Sequence, residues 1–576
     1  MIFHAKDNWK VSRCLFLMTV IALLPSAVSA QTGGSIREAP QDTVAKRRSL
    51  PPLALPDIVI FGRSTASTRE GSKLFPADKL TALDREVGAP VGEKLGSRTG
   101  WGGGRMLAAQ ERVGPGRWAR AYMRGGTFGE MLAGGDVWID FRKWQLMAIL
   151  AGEGTGGHVS NSSSVGGRGD FSAIRYLGTD TELRINIGYG LGRGEEWGVG
   201  ATNVGIPGVP DGVTRSWSDA DYSVEMKGSL RRGITLYGGL GGRNAGLRDE
   251  VRGTDLHPRD QGGWITAGMV WLTGKSLVDL DARMESDRIT GPQRTQDASL
   301  LSTSLTVRSL FGETNSFLAG VVWYQVDTGI GQVTRIWPLA EFTSQYSDRF
   351  SMFVKYQPQI DYLNLGEARK QNPFVANSYE AASREERFHL SVGLRYIVAQ
   401  HMALEFQVAR RQFDKLPLWR LAPASDPWSN GLFILDSVGP IAVNETRINL
   451  EGTPRENLAL SGELVLRNST GGGIAELPHI PHLQFTGGID FRGPWDLDLG
   501  LSINYLGERY GSGEQAGLDA RRLAPVSDMG IRVARGFGSA LTGWLELRNI
   551  LDQEIMVWEG YSMPGRTTAL GLSLKF

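Results

Sequence analysis

Residues 497–505 read LDLGLSINY, so leucine, isoleucine and tyrosine alternate with small or polar residues. A repeat of two places alternate side chains on opposite faces and is typical of a β-strand with one apolar face. The same alternation recurs at residues 183–189, 404–408, 458–467 and 483–492. We therefore predict an all-β fold that extends from about Gly116 to the last residue.

The composition excludes several classes of protein. Glycine supplies 76 of the 576 residues, about 13% against a usual share of about 7%. Each interior glycine costs a helix about 1 kcal/mol, which disfavours an α-helical enzyme. Apart from one N-terminal segment, no apolar run reaches the roughly 18 residues of a helical membrane span. The formal net charge is only +1 and the signs are interspersed, so no basic face for nucleic acid is expected.

Connections between the alternating runs are of two kinds. Some are tight turns, such as Gly178-Thr179-Asp180 and Thr273-Gly274-Lys275. Others are long and polar, namely residues 190–218, 241–263, 364–387 and 507–525. Short periplasmic turns that alternate with long extracellular loops are typical of a transmembrane antiparallel β-barrel. A soluble sandwich would also alternate, but here the polar face is charged along its length. We expect about 22 strands, although a porin with 16 or 18 more widely spaced strands stays open.

The N-terminus has the form of a secretory signal. Basic residues precede an apolar run at 14–24, and Val28-Ser29-Ala30 fits a cleavage site, so residues 1–30 are expected to be removed near Ala30. A retained membrane anchor is the alternative. Cleavage would remove Cys14, the one cysteine, and leave a chain without disulfides. We place the mature protein in the outer membrane of a Gram-negative-type cell, surrounded by lipid.

Residues 31–112 form a polar, flexible periplasmic segment in this interpretation, and residues 113–576 form the barrel. The segment contains the proline-rich tether LPPLALP at 50–56. Such a composition is typical of a linker and not of a core-forming domain.

The C-terminus resembles that of the TonB-dependent receptors. Trp544–Asp552 is similar to their penultimate strand and the turn that follows it, with Asn549 and Asp552 as the motif residues. Residues 560–567 are similar to the segment before their final strand. The remaining motif and closing-strand residues are Pro564, Gly565, Arg566, Leu570, Leu572, Leu574 and Phe576. The last four resemble the signal read by the barrel-assembly machinery.

This resemblance implies transport of a solute across the outer membrane. It also implies that the short extended segment after Pro56 is an energy-coupling box for a TonB-type protein, or the first strand of a plug. Its residues are Asp57, Ile58, Val59, Ile60 and Phe61. Family members carry a larger plug than this chain has room for. A barrel of this width needs filling, so inward-folding loops, residues 31–112 or a separate plug partner should occupy the bore.

Neither a catalytic centre nor a cofactor is expected. No nucleophile elbow or P-loop lysine motif occurs. His479 and His482 are the only close pair of histidines, and we interpret them as the polar beginning of a strand and not as metal ligands. The glycine-dense runs at 188–192 and 238–242 should permit bends or aromatic packing.

The aromatic and charged residues leave the solute open. Some tryptophans should form the two interfacial girdles, and the rival interpretation is a sugar-stacking path of inward-facing rings. Lumenal charges of mixed sign should stabilise a polar wall, whereas a selective porin would show rings of one sign. The alternatives to a transporter are a passive porin-like channel and a non-transporting barrel whose long loops bind a partner or a surface.

Overall fold

The computed structural model describes residues 117–141, 143–158, 162–178, 181–195, 214–231, 233–251, 254–292, 294–311, 314–329, 331–399, 401–422, 432–473, 476–511 and 522–576. Almost all of its strands belong to one antiparallel sheet.

The strands alternate in direction along the chain. Those of the first part are β1 (Arg117–Gly126), β2 (Met131–Phe141), β3 (Trp144–Thr155), β4 (Ser164–Tyr176), β5 (Thr181–Glu195), β6 (Thr214–Arg231), β7 (Ile234–Val251), β8 (Thr254–Leu256), β9 (Arg259–Thr273), β10 (Ser276–Thr290), β11 (Thr295–Phe311), β12 (Asn315–Asp327), β13 (Gln332–Ser347), β14 (Phe350–Tyr356) and β15 (Gln359–Leu363). Those of the second part are β16 (Ala382–Ala399), β17 (Met402–Leu421), β18 (Phe433–Val438), β19 (Ile441–Arg455), β20 (Leu458–Gly471), β21 (Leu483–Arg492), β22 (Leu497–Leu506), β23 (Arg509–Tyr510), β24 (Arg522–Leu523), β25 (Val526–Phe537), β26 (Leu541–Arg548), β27 (Met556–Trp558), β28 (Tyr561–Ser562) and β29 (Thr567–Lys575).

The sheet closes on itself because the first strand pairs with the last. Arg120 lies opposite Lys575 and Gly126 opposite Ala569 in the antiparallel pair β1–β29. Six short strands lie in the long connections, namely β8, β18, β23, β24, β27 and β28. β14 and β15 pair with successive parts of β16 and count as one strand of the barrel. The result is a closed barrel of 22 strands. The predicted fold class and strand number are confirmed, and the porin-sized alternative is wrong.

The helical content is small. One α-helix, α1 (Leu365–Gln371), follows β15, and two 3-10 turns occupy Thr127–Gly129 and Pro494–Asp496. Within the described ranges, no helix has the length and apolar character needed to cross a membrane.

The inner face of the barrel is identified by the segment 364–381. Its residues contact Asp219 on β6, Asp249 on β7 and Asp260 on β9. These strands lie five to seven places around the ring from β15, so the segment reaches them only through the bore. Alternate residues along each strand therefore face the lumen, and the others face outward.

The outward face is apolar and exposed, as a lipid-facing surface should be. Ile187 and Leu191 on β5 are 50% and 49% exposed. Glu182, Arg184 and Asn186, which have the opposite parity on the same strand, face inward. The predicted division of each strand into an apolar and a polar face is therefore present.

Several strands are longer than the roughly ten residues that a tilted strand needs to span the hydrocarbon layer. β6 and β7 each contain 18 residues, and β17 contains 20. Residues 190–195, 214–218 and 241–251, which their polar character assigned to long connections, are therefore strand. The glycines among them lie against aromatic rings in the sheet, as described below.

Candidate functional site: the loop cap

Several long connections fold inward and meet over one end of the bore. We call their described residues the loop cap, which comprises 364–381, 432–440, 476–482, 507–511, 522–525 and 549–566. Most of their buried apolar side chains form one cluster with the nearby strand ends. Leu477 belongs to a second, smaller cluster with Phe413 and Ile441. Of the three predicted ways to fill the bore, inward-folding loops are thus present at this end.

Helix α1 fixes the first part of the cap to the far wall. The Asn364 side chain caps the helix by accepting a hydrogen bond from the Glu367 N–H at 2.9 Å. The Leu365 N–H donates to an oxygen of Asp260 at 3.0 Å. Arg369 forms an ion pair with Asp219 and lies 4.2 Å over the ring of Trp217. Burial, together with Arg215 and Arg168, lowers the pKa of Arg369 to about 10, so the guanidinium stays charged at neutral pH.

A buried ion pair fixes the segment that follows. Arg215 donates to both oxygens of Asp249, at 2.8 and 2.6 Å, and also to the Pro373 carbonyl at 3.0 Å. The Asn377 amide donates to the same carboxylate at 2.6 Å. Two strand residues therefore hold both sides of the segment 373–377. Removal of one partner would leave a buried charge uncompensated.

The connections then bind one another above the lumen. The Ala376 N–H donates to the Phe433 carbonyl at 2.8 Å, and the Phe433 N–H donates to the Phe374 carbonyl at 2.9 Å. The rings of Phe374 and Tyr561 stack with centroids 3.6 Å apart. These contacts join the connections that follow β15, β17 and β26.

The attachment points are spread around the rim. Counted along the pairings of the 22-strand ring, β6, β15 and β26 are separated by seven, eight and seven places. Segments attached at three such points can meet only over the middle of the bore. The cap therefore crosses the mouth and does not merely line it.

His479 lies at the centre of the cap and is 2% exposed. Its ring centroid is 5.4 Å from that of Phe433 and 5.0 Å from that of Trp558. Neither ring nitrogen has a hydrogen-bond partner within the described residues. Burial and the nearby Arg509 lower the pKa of His479 to about 3, so the ring is neutral at physiological pH.

The guanidinium of Arg509 crosslinks the cap backbone. It donates to the carbonyls of Met556 at 2.9 Å and Val557 at 3.3 Å. Burial lowers its pKa to about 10. The Tyr510 carbonyl accepts from the His479 N–H at 2.8 Å, so three connections share this centre.

The interpretation of His479 and His482 as the polar beginning of a strand is wrong for the first of them. His479 is buried with φ +61° and lies outside the strands. His482 is exposed and its ring lies 2.7 Å from Glu476. The sequence spacing carried no signal of this, because the groups that bury His479 come from residues 433 and 558. No cluster of three or more histidine, cysteine or acidic side chains suited to a metal occurs among the described residues.

The lumenal wall below the cap is built from charges of mixed sign, as predicted. Glu445 accepts hydrogen bonds from Arg447 and Arg467, each at 2.8 Å, and Arg447 also reaches Glu463 at 2.7 Å. Similar pairs recur along neighbouring strands, including Arg548 with Glu546 at 2.7 Å. Opposite charges neutralise one another in these ladders, so the wall has no ring of one sign in this part.

Inward-facing aromatic rings lie flat on inward-facing glycines. A Cβ added to Gly192 would come within 2.5 Å of Trp217, and one added to Gly241 within 2.7 Å of Trp264. The glycine-dense runs therefore permit aromatic packing, as predicted.

The tryptophans and tyrosines of the strands divide between the two faces. By strand parity, the inward set is Trp118, Tyr122, Trp138, Tyr324, Trp337 and Trp544. The outward set is Trp144, Trp271 and Trp323. Only the outward set can contribute to interfacial girdles, which stay a prediction. In the inward set, Tyr122 lies against Gly134 and Trp544 against Gly571.

Comparison with protein-family models and with curated protein sequences finds no match. Solved structures do match. The FrpB iron transporter of Neisseria meningitidis (F3-3 variant) has a TM-score of 0.64 at 10% identity, with 82% of this chain and 83% of that chain covered. The siderophore receptor PiuA of Acinetobacter baumannii has a TM-score of 0.62 at 11% identity, with 80% and 82% covered.

The fold is that of the TonB-dependent receptor barrel. The ferric-catecholate import receptor Fiu of Escherichia coli K12 gives a similar result, with a TM-score of 0.59 at 11% identity and with 80% of this chain and 82% of that chain covered. This fold supports location in the outer membrane. The long connections that form the cap then lie on the extracellular side.

The motif residues of the receptor barrel meet at the base of the last connection. The Asn549 amide donates to the Gln553 carbonyl at 2.7 Å and to the Pro564 carbonyl at 3.3 Å. The Asp552 carboxylate accepts from the Arg566 N–H at 2.7 Å, and Gly565 lies against it. Asn549 and Asp552 both adopt positive φ, +45° and +53°, which asparagine and aspartate tolerate best. The motif is thus a clasp that closes the ends of residues 549–566.

The closing strand presents its apolar residues to the outside. Leu570, Leu572, Leu574 and Phe576 are 65%, 50%, 39% and 71% exposed. Their role as an assembly signal stays a prediction. The predicted coupling residues 57–61, the signal 1–30 and the segment 31–112 lie outside the described residues.

Proposed function

We propose that this chain is an outer-membrane transporter of the TonB-dependent type, in which the loop cap admits a solute and the bore conducts it inward. The proposal includes export directed by residues 1–30 and energy coupling through Asp57–Phe61. The observation that carries it is the loop cap, which is held at β6, β15 and β26 and so crosses the mouth of a receptor-type barrel. The comparison structures are transport receptors and not enzymes.

The cap argues against the passive porin-like channel. Arg215, Asp249 and Asn377 form a buried network, and breaking one buried ion pair costs about 3–5 kcal/mol. The apolar cluster centred on Phe433 and Trp558 adds to this. A mouth held in this way opens rarely without a ligand or an energy source. An energy-coupled receptor accounts for such a closed mouth better than an open pore does.

Ferric chelates are the solute class to test first. The solved structures of similar fold are named as an iron transporter, a siderophore receptor and a ferric-catecholate import receptor. The mixed-sign wall of this chain does not select a solute by itself. We therefore propose a ferric siderophore as the transported solute. The proposal that the chain is a transporter does not depend on this choice of solute.

The uptake experiment compares cells that express the chain with cells that do not. Both are supplied with a panel of ⁵⁵Fe-loaded catecholate and hydroxamate siderophores, in strains with and without the TonB-type protein. Accumulation that needs both the chain and the coupling protein supports the proposal. Accumulation that needs the chain alone would favour a passive channel. Absence of uptake with strong surface binding would favour the non-transporting barrel.

The coupling segment can be tested by crosslinking. Only one cysteine, Cys14, is present and it lies in the predicted signal, so a single engineered cysteine is specific. Ile60→Cys should form a disulfide with a cysteine-bearing coupling protein, whereas Ala66→Cys, six residues away, should not. Equal crosslinking of the two variants would remove the coupling box from the proposal.

A further inference from the structure

An apolar groove crosses the outer face of the barrel where β1 meets β29. Its volume is about 1090 Å³ and its lining comes from β25, β26, β29 and β1–β4. Small residues, among them Gly125, Ala133 and Gly152, leave gaps between larger outward side chains such as Met131 and Val165, which are 70% and 62% exposed. The groove therefore lies on the membrane side of the only strand pair that joins the two ends of the barrel chain.

The groove runs obliquely through the membrane. The strand registers place one row of outward residues in line, namely Arg535, Gly543, Leu572, Met123, Ala133 and Gly152. Five strand spacings of about 4.8 Å make this row about 24 Å long. Because barrel strands tilt by about 35–45°, the row rises by about 14–17 Å, roughly half of the hydrocarbon thickness of about 30 Å. It leads from the turn end of β25 to the loop end of β3, and thus from the periplasmic towards the extracellular side.

One charge lies on the outward lining. Arg124 and Glu153 lie between outward residues and face the lumen by strand parity, where Arg124 approaches Glu546 at 3.5 Å. Arg535 by contrast faces outward, is exposed, and lies over the Phe537 ring at 5.6 Å. Within the described residues it has no acidic partner. The groove is thus a long apolar surface with a single cation at its periplasmic end.

We propose that this groove binds a glycerophospholipid of the inner leaflet, with the phosphate on Arg535 and an acyl chain along the row. An arginine guanidinium suits a phosphate because two parallel N–H donors can reach its oxygens. An acyl chain fills gaps between side chains that the rigid sheet cannot close. A two-fold dimer through this face would bring two unpaired Arg535 side chains into one apolar interface, which is unfavourable. A lipid bound here would stabilise the strand pair β1–β29. This inference is independent of the proposed transport.

The test is native mass spectrometry of the full chain in detergent, titrated with dioleoylphosphatidylglycerol or with dioleoylglycerol, which lacks the phosphate. Ala133→Leu fills the groove, and Ala319→Leu is its control on the outward face of β12. Arg535→Gln removes the cation, and Arg175→Gln is its control, because Arg175 is also outward and lies 5.0 Å over the Trp144 ring. We expect one retained phosphatidylglycerol per chain in the wild type and in both controls.

Retention of phosphatidylglycerol should fall about tenfold in Arg535→Gln, the loss of one charge-assisted contact, while that of dioleoylglycerol is unchanged. Ala133→Leu should lower the retention of both. Equal retention by either variant and its control would overturn the proposal, as would a dimer or selective retention of lipid A over phosphatidylglycerol. Heat-modifiable migration on gels shows whether each variant folds. If Ala133→Leu does not fold, Gly152→Leu replaces it, because a Cβ added at Gly152 would have no neighbour nearer than 3.7 Å.

Discussion

Lowering the pH from 7 to 5 should loosen the loop cap by protonating His479. In the closed cap, burial and Arg509 hold the pKa of His479 at about 3. In an opened cap the exposed ring should return to the ordinary pKa of about 6.5. Only the open state then binds a proton between these values. The contribution of His479 to closure is complete above pH 6.5 and is lost as the pH falls from 6.5 towards 3.

The magnitude follows from this pKa difference. Between pH 7 and pH 5 the open state gains about 2 kcal/mol relative to the closed state. This corresponds to an increase of about 25-fold in the opening equilibrium. The cap should remain mainly closed, because its ion pairs and apolar cluster persist, but its fluctuations should become much more frequent.

The assay is hydrogen exchange of the cap amides, corrected for the intrinsic effect of pH. The Ala376, Phe433 and His479 N–H groups all donate to cap carbonyls and should lose about 25-fold in protection. His479→Phe keeps an aromatic ring in place and should remove the part of this pH dependence that comes from His479. His482→Phe, which changes the exposed neighbouring histidine, should leave it intact. Equal pH dependence in the wild type and in His479→Phe would refute the reasoning.

Three further predictions concern the cap and the wall. Arg215→Met should destabilise the cap by about 3–5 kcal/mol, measured by hydrogen exchange at residues 373–377. Arg288→Met, which breaks an exposed pair with Asp297, should leave that exchange almost unchanged, and similar losses in the two variants would contradict the role of the buried pair. Asn549→Ala removes a buried side chain from the clasp and should lower the stability of the last connection by about 2 kcal/mol. Proteolysis of residues 549–566 should then be faster, and an unchanged rate of cleavage would contradict the role of the clasp. Gly192→Ala should displace the ring of Trp217 and shift its ¹⁹F signal in protein labelled with fluorotryptophan; Trp217→Phe assigns that signal among the 16 tryptophans. An unshifted signal would show that the ring does not lie on this glycine.

The sequence predicted the barrel well because strand alternation is local. Leu499, Leu501 and Ile503 show their common face within five residues, and the closing strand does the same. The lengths of β6 and β7 were not predictable in this way. Residues 214–218 and 241–251 lie in stretches whose polar character predicted long connections. The strand pairing shows instead that Trp217 and Trp264 lie against Gly192 and Gly241 on neighbouring strands.

The cap could not be derived from the sequence, because its contacts are long-range. His479 is buried by Phe433 and Trp558, and Asp249 is neutralised by Arg215 and Asn377. No periodicity or spacing links residues so far apart in the chain. The sequence indicated that something must fill the bore, and the structure identifies inward-folding loops at the mouth.

Single-channel conductance in planar bilayers tests the closed mouth most directly. A variant that lacks residues 31–112 removes any contribution of that segment and leaves the cap as the barrier. We predict that this variant conducts little, and that further replacement of residues 365–380 by a short glycine–serine linker gives a large, steady pore. A large and steady pore in the first variant, with the cap intact, would contradict the claim that the loop cap closes the barrel.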